Sequence, residues 1–317
     1  MATISLSTIQ QLTANIAQQI VGKDRPIQLV LTALLAGGHV LLEDVPGVGK
    51  TLLAKSLAKS IDAKFQRIQC TPDLLPSDIT GTNIWNPGSR EFEFIPGPVF
   101  TNILLADEIN RATPRTQSAL LEVMEERQVT LDGHSRAVSP PFFVIATQNP
   151  IESHGTFALP EAQMDRFMIS LSLGYPEAAE ELQLLQGLAT GASIADLAPC
   201  ITLAELQAIQ QQCQKVKVDP AISQYIVDLV RSTRNDSEIS LGVSPRGAVA
   251  LYRATQAWAW LQERPYALPD DVKELAIYVL AHRIVTVGGR RGASAISRLL
   301  QQIPIESVNQ QLRQRRY

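Results

Sequence analysis

The run Val45-Pro46-Gly47-Val48-Gly49-Lys50-Thr51, continuing into Leu52, sets two glycines, a lysine and a hydroxyl in close succession. Glycines let a main chain close around phosphate oxygens with its N–H groups pointing inward. The Lys50 amine would reach the β- and γ-phosphates of a nucleoside triphosphate, and the Thr51 hydroxyl would sit on Mg²⁺. The full pattern begins with a further glycine. Asp44 stands at that position. Asp adopts unusual backbone angles more readily than most residues, so the expectation is that Asp44 keeps the turn by that tolerance.

Two acids, Asp107-Glu108, follow the apolar run Ile103-Leu104-Leu105-Ala106. In open α/β sheets, ligands gather at the carboxyl ends of strands. There Asp107 would hold Mg²⁺ through its waters, and Glu108 would polarise an attacking water. The pair therefore points to a hydrolase rather than a kinase or a pure binding module. Another apolar run, Phe142-Phe143-Val144-Ile145-Ala146, ends in Thr147-Gln148-Asn149. Asn149 is expected to hydrogen-bond the same water or the γ-phosphate. Arg166 and Arg246 are candidate cations for the charge that phosphoryl transfer develops, in cis or across a subunit boundary. The plainer reading of each is a surface ion pair.

These residues need elements to carry them. His39-Val40-Leu41-Leu42 and Met168-Ile169-Ser170-Leu171 are two further short apolar runs, and Lys64 to Cys70 alternates more weakly. Helical patterns lie between several of the runs, at Lys50 to Ile61 and Thr116 to Arg127. Strands alternating with helices give an α/β domain with a five-stranded, mainly parallel sheet. Residues 7–20 and Ile27 to Leu35 read as helices before the loop, the latter closed by Gly37-Gly38. Asn86-Pro87-Gly88 and Asp132-Gly133 mark two β-hairpins, over Ile84 to Phe94 and Val129 to Val138. Beyond Gly174-Tyr175-Pro176 the pattern is helical only. Thr202 to Glu205 is a capping box, and Asp219-Pro220, Ser244-Pro245 and Pro269-Asp270 each open a helix. The expected domains are 1–175, an α/β nucleotide-binding core, and 176–317, a smaller all-α lid.

Composition closes off other classes. With 45% hydrophobic residues and a net charge of −3, the chain can bury a sizeable core and gives no reason to expect nucleic acid. Cys70, Cys200 and Cys213 lie far apart and in no CxxC pair, which argues against a disulfide framework or a zinc site and fits a reducing cytosol. His39, His134, His154 and His282 are scattered without metal-ligand spacing. No apolar stretch is long enough for a membrane span, and Met1-Ala2-Thr3-Ile4 lacks a basic region followed by a long apolar core, so the expectation is of no signal peptide.

On these motifs the chain resembles the MoxR family of AAA+ ATPases. The match is carried by Leu41 through Thr51, by Phe100 to Arg127 with Ala106-Asp107-Glu108-Ile109-Asn110-Arg111-Ala112, by Ala146 through Phe167, and by Ser244-Pro245-Arg246. The resemblance implies that Lys50 and Thr51 are Walker A, Asp107 and Glu108 Walker B, Asn149 sensor 1, Arg166 the arginine finger and Arg246 sensor 2. It implies adenine contact by Ile20-Val21-Gly22, and likens the two hairpins to the helix-2 insert and the pre-sensor-1 hairpin. It further implies ATP and Mg²⁺ as cofactors and a homo-oligomeric, hexameric ring. Chaperone-like remodelling of protein clients follows too, among them proteins with von Willebrand factor A domains. Two alternatives remain open at this point. One is a ring ATPase acting on nucleic acid, suggested by Arg283, Arg290, Arg291, Arg298, Arg313, Arg315 and Arg316 against the lone acid Glu306. The other is a nucleotide-gated binding module with very slow turnover.

Overall fold

A computed structural model describes residues 6–150, 155–190, 197–288 and 292–303. Of the expectations above, His154 and the arginines at 290, 291, 313, 315 and 316 lie outside the described residues.

The elements run α1 (Leu6–Ala17), α2 (Asp24–Leu35), β1 (Val40–Glu43), α3 (Lys50–Ser60), β2 (Phe65–Gln69), α4 (Pro76–Thr80), β3 (Gly81–Asn86) and β4 (Glu91–Pro96). Next come β5 (Ile103–Asp107), α5 (Pro114–Glu126), β6 (Gln128–Leu131), β7 (His134–Ala137), β8 (Phe143–Gln148), α6 (Glu161–Met164) and β9 (Ile169–Leu171). The chain continues through α7 (Ala178–Thr190), α8 (Leu203–Cys213), α9 (Pro220–Asn235) and β10 (Ile239–Leu241). It then forms α10 (Pro245–Leu261), α11 (Pro269–Leu280), β11 (Val285–Thr286) and α12 (Ala293–Gln302).

The four apolar runs and the alternating stretch Lys64 to Cys70 form one five-stranded sheet in the order β2-β5-β8-β1-β9. The pairings β2–β5 and β5–β8 are parallel. All five residues of β5 are buried, as a strand covered on both faces requires. Leu41 and Leu42 of β1 and Leu53 and Leu57 of α3 are fully inaccessible, so the strand before the loop and the helix after it are both anchored in the core.

Both hairpins form. Strands β3 and β4 pair antiparallel, as do β6 and β7. Asp132 and Gly133 have φ of 50° and 77°, the two positive angles that a tight two-residue turn between strands demands. An Asn83–Asp132 hydrogen bond of 2.5 Å and the Arg136 guanidinium, 4.1 Å from the Phe94 ring centre, tie one hairpin to the other.

The chain divides into two compact units, residues 1–27, 41–166 and 172–207 in one and 28–40, 167–171 and 208–317 in the other. This division is not a single cut near Pro176. Residues 177–207 group with the first unit, while 28–40 and 167–171 group with the second. The second unit is chiefly helical. In it Leu251, Ala254 and Ala257 of α10 and Val272, Leu275, Ala276 and Val279 of α11 are fully buried. Its helices begin as their caps dictate: Asp219 accepts from the Ala221 amide at 2.8 Å, and Ser244 from the Gly247 amide at 3.3 Å. In the first unit, Thr202 and Glu205 form a reciprocal capping box. The expectation of helices only needs one correction, because β10 and β11 pair antiparallel within the second unit. With three and two residues, they are too short to show a periodicity.

Candidate functional site

Parallel register brings the strand ends together. Gln69 is opposite Asp107 across β2 and β5, and Ala106 is opposite Ala146 across β5 and β8. Three neighbouring strands therefore deliver their polar tips to one end of the sheet. The loop after β1 closes over that end, because the Asp44 amide donates to the Gln148 carbonyl at 3.1 Å.

The result is a cavity of about 440 Å³ lined by Pro46, Gly47, Gly49, Lys50, Thr51, Leu52, Asp107, Glu108 and Asn149, together with Arg67 and Gln69. The first nine are residues expected from sequence. Val21, Gly22, Val45, Val48, Arg166 and Arg246 do not line it.

Gly47 and Gly49 carry the loop's left-handed angles, with φ of 89° and 95°. A Cβ at Gly47 would meet nothing within 4 Å, so the main chain there faces an open cradle. Gly49 is also the residue from which α3 begins, leaving first-turn N–H groups beside the cradle. The Lys50 amine curls back onto the loop's own carbonyls, donating to Asp44 O at 2.8 Å and Val45 O at 3.3 Å. Asp44 itself is not at positive φ. The expectation that it keeps the turn by tolerating unusual angles is therefore corrected: the glycines do that work, and Asp44 has other contacts.

Thr147 organises the paired acids. Fully buried, its hydroxyl donates to Asp107 Oδ1 at 2.5 Å and accepts the Glu108 amide at 2.8 Å. Arg67 holds the other oxygen, Oδ2, at 2.7 Å. Glu108 lies in the left-handed region, φ 56° and ψ 50°. Such angles cost a non-glycine residue about 1 kcal/mol or more and persist where the surroundings enforce them. Its carboxylate accepts from Gln69 Nε2 at 3.0 Å and Arg111 at 3.3 Å. Asn149 is 5% exposed. Its carbonyl accepts from Asn110 Nδ2 at 3.4 Å, which holds this strand end to the turn following the acids. Cys70, directly after β2, is pushed up to about 12, first by burial and then by the negative charge of Asp107 and Glu108.

Sequence reading missed Arg67, Gln69, Thr147 and Arg111. The first two alternate on β2 and share the face that meets Asp107, a signal present in the weak strand but unreadable without its register. Thr147 is in the stretch that ends at Asn149, and nothing local marks its hydroxyl as the partner of two acids at the end of the neighbouring strand.

The remaining expected residues have their own settings. Arg166 pairs with Glu125 at 3.1 Å and is partly exposed. Arg246 is exposed in the first turn of α10, where the helix dipole disfavours a cation. The following Gly247 leaves no room for a Cβ, which would lie 2.3 Å from Val243 and 3.0 Å from the Arg283 stem. Arg283 is buried and donates to the carbonyls of Phe167 at 2.6 Å, Met168 at 3.2 Å and Val279. The chain just after Arg166 and the helix that carries Arg246 thus share Arg283. Gly22 has φ 71°, an angle that strains any residue with a side chain, so the backbone favours glycine at this point whatever it faces; a Cβ there would meet only the movable end of Glu180.

A glycine cradle at a helix start, with paired acids at the end of β5, an inner strand of the parallel sheet, defines a phosphate-loop nucleotide-binding core. Residues 39–169 match the ATPase family associated with various cellular activities (AAA), and residues 231–303 match the AAA lid domain. The chain is 53% identical over 271 residues to the uncharacterised protein YeaC of Bacillus subtilis, covering 86% of this chain and 85% of that one. It is 39% identical to the chaperone MoxR1 of Mycobacterium tuberculosis, over 95% and 83% of the two chains. Protein MoxR of Paracoccus denitrificans is 35% identical, over 84% and 85%. A crystal structure of a Cytophaga hutchinsonii protein assigned as an ATPase superposes with a TM-score of 0.87 at 38% identity, covering 94% of this chain and 95% of that one. The chain belongs to the MoxR family of AAA+ ATPases.

Proposed function

We propose that this chain hydrolyses ATP with Mg²⁺ and uses the cycle to remodel, assemble or activate a partner protein. The observation that carries the proposal is the meeting of Lys50, Thr51, Asp107, Glu108 and Asn149 around one cavity. Its donor set suits the group. The cradle at Gly47 is open, the loop's glycines are left-handed, and a hydroxyl and a carboxylate offer hard oxygens. Mg²⁺ favours such sparse protein ligation, completed by phosphate and water. When bound, the ion would neutralise charge developing on the phosphates.

In this reading Val45 to Leu52 wrap the phosphates, and Lys50 leaves its carbonyl partners to pair with them. Thr51 and Asp107 hold the metal. Glu108, oriented by Gln69 and Arg111, polarises the attacking water, with Asn149 as a second hydrogen-bonding group. Val21 and Gly22 flank the adenine. Arg166 completes a neighbouring subunit's site in a homo-oligomeric, hexameric ring, and Arg246 responds to nucleotide from the helical lid, residues 176–317. A location in the cytoplasm fits the free thiols, and among the described residues no helix is long and apolar enough to cross a membrane.

The hairpins support a protein client. Trp85 and Phe92 form an edge-to-face pair with ring centres 5.3 Å apart, and both are exposed. Exposed aromatic pairs are costly to leave in water and suit protein contacts. A von Willebrand factor A-domain protein is the proposed class of client.

Steady-state ATP turnover of wild type and Glu108→Gln tests the chemistry; equal rates sink it. Mixing Arg166→Ala with Lys50→Ala subunits tests the ring. Partial recovery of turnover supports a trans arginine, and none in co-assembled rings removes it. Capture of a protein by the ATP-trapped Glu108→Gln form, analysed for von Willebrand factor A domains, tests the client class.

A further inference from the structure

We infer that Asp44 is a positioning residue of the phosphate loop, and that glycine in its place would loosen the loop rather than perfect it. The inference rests on the reading of that loop as the nucleotide site.

Glycine opens such loops because it is free to take positive φ. Here that freedom is used at Gly47 and Gly49 and not at residue 44. The Asp44 side chain is instead 5% exposed and fully engaged. Its Oδ1 accepts the Ser172 hydroxyl at 2.6 Å and the Gly174 amide at 3.2 Å, and its Oδ2 accepts the Leu173 amide at 2.6 Å. These are charge-assisted bonds, one from a hydroxyl and two from backbone N–H groups, the stronger kind. Leu173 is itself buried, so its amide would lose its acceptor without Asp44.

The main chain of Asp44 is fixed as well. Its amide donates to β8 through Gln148, and its carbonyl accepts the Lys50 amine. One residue therefore joins the β8 end, the phosphate-binding lysine and the turn at 172–174. That turn is gripped a second time. Lys23 donates to the Tyr175 carbonyl at 2.8 Å and pairs with Glu180 at 3.9 Å. Glu180 covers Gly22. The turn is thus a common anchor for the phosphate loop, through Asp44, and for the Val21–Gly22 segment, through Lys23. A glycine at position 44 would cut the first of these two ties while adding freedom the loop has no use for.

The test is a titration of mant-ATP with Mg²⁺ into the full chain, alongside steady-state turnover. Asp44→Gly is expected to weaken mant-ATP binding roughly tenfold, the loss of one such set of bonds. Its KM for ATP rises more than its kcat falls. Ser172→Ala weakens binding less, and its effect shrinks in the Asp44→Gly background, because both changes break one contact. If Asp44→Gly binds mant-ATP as tightly as wild type or more tightly, the inference is overturned. Should circular dichroism show that Asp44→Gly has lost its fold, Asp44→Asn decides, since it keeps one acceptor oxygen. Intermediate affinity supports the tie, and wild-type affinity removes it. Lys50→Ala is the separate control. If it binds mant-ATP like wild type, the nucleotide-site reading fails, whatever Asp44 does.

Discussion

Thr147 donates its hydroxyl to Asp107 Oδ1 at 2.5 Å and takes the Glu108 amide on the same oxygen at 2.8 Å, so one buried side chain sets both acids of the site. Thr147→Val keeps the shape and deletes the oxygen. It leaves a donor and an acceptor unpaired and should lower stability by about 1–3 kcal/mol. ATP turnover should fall while Thr147→Ser restores most of it. Chemical denaturation and a turnover assay of the two variants check this. Equal turnover for Val and Ser would show that the hydroxyl does not set the acids.

Glu108→Gln should cut turnover by about 10²–10⁴-fold, the usual worth of a general base. The amide fills the same space, so affinity for mant-ATP should change little. Measuring turnover and affinity on one preparation separates a catalytic loss from a binding loss.

Arg67 competes for Asp107. Its guanidinium is 2.7 Å from Oδ2, and its side chain is 45% exposed. A metal on that carboxylate must displace or share it. Arg67→Gln should lower the Mg²⁺ concentration that gives half-maximal turnover, by roughly twofold to fivefold for a partly exposed pair. An increased Mg²⁺ requirement would assign Arg67 to binding phosphate instead.

Burial raises the Cys70 and Cys213 thiols from 9.0 to about 12. The folded chain holds those protons where the unfolded chain releases them, so stability should decline as pH rises from about 9 toward 12. At pH 8 a thiol reagent should label the partly exposed Cys200 in the native protein and reach the other two only on unfolding. Mass spectrometry of labelled peptides reads this directly. Rapid native labelling of Cys70 would mean that the strand end opens readily.

Arg283→Met should act at a distance. It takes the Arg283 donor from the carbonyl of Met168 and from that of Phe167, which His282 Nε2 also meets at 3.0 Å, at a cost of about 1–3 kcal/mol. Because those carbonyls follow Arg166, turnover should drop more than nucleotide affinity. A thermal melt together with a kcat and KM comparison tests it, and a fall in stability with kcat intact would make Arg283 structural only.

Local signals carried much of the architecture into view. The loop glycines, the run Ile103 to Ala106 ahead of its acids, Asp132-Gly133 and the Ser244 cap each act within a few residues, and each is where local chemistry puts it. What stayed hidden is non-local. Arg67 and Gln69 matter through the register of β2 against β5, and Asp44 through residues 172–174. The units likewise follow spatial grouping, which sends 28–40 and 167–171 away from their neighbours in sequence.

The sheet order has a consequence for hydrogen exchange. Strand β5 has neighbours on both sides, while β2 stands at the end with one. Amides of β5 should therefore exchange only with the largest openings, and those of β2 with smaller local ones. Asp107 rests on an inner strand, as does Thr147, while two of the side chains that hold the acids, Arg67 and Gln69, rest on a strand that can open first. In protection factors, the acids and the β2 pair that steadies them belong to different layers of the native ensemble.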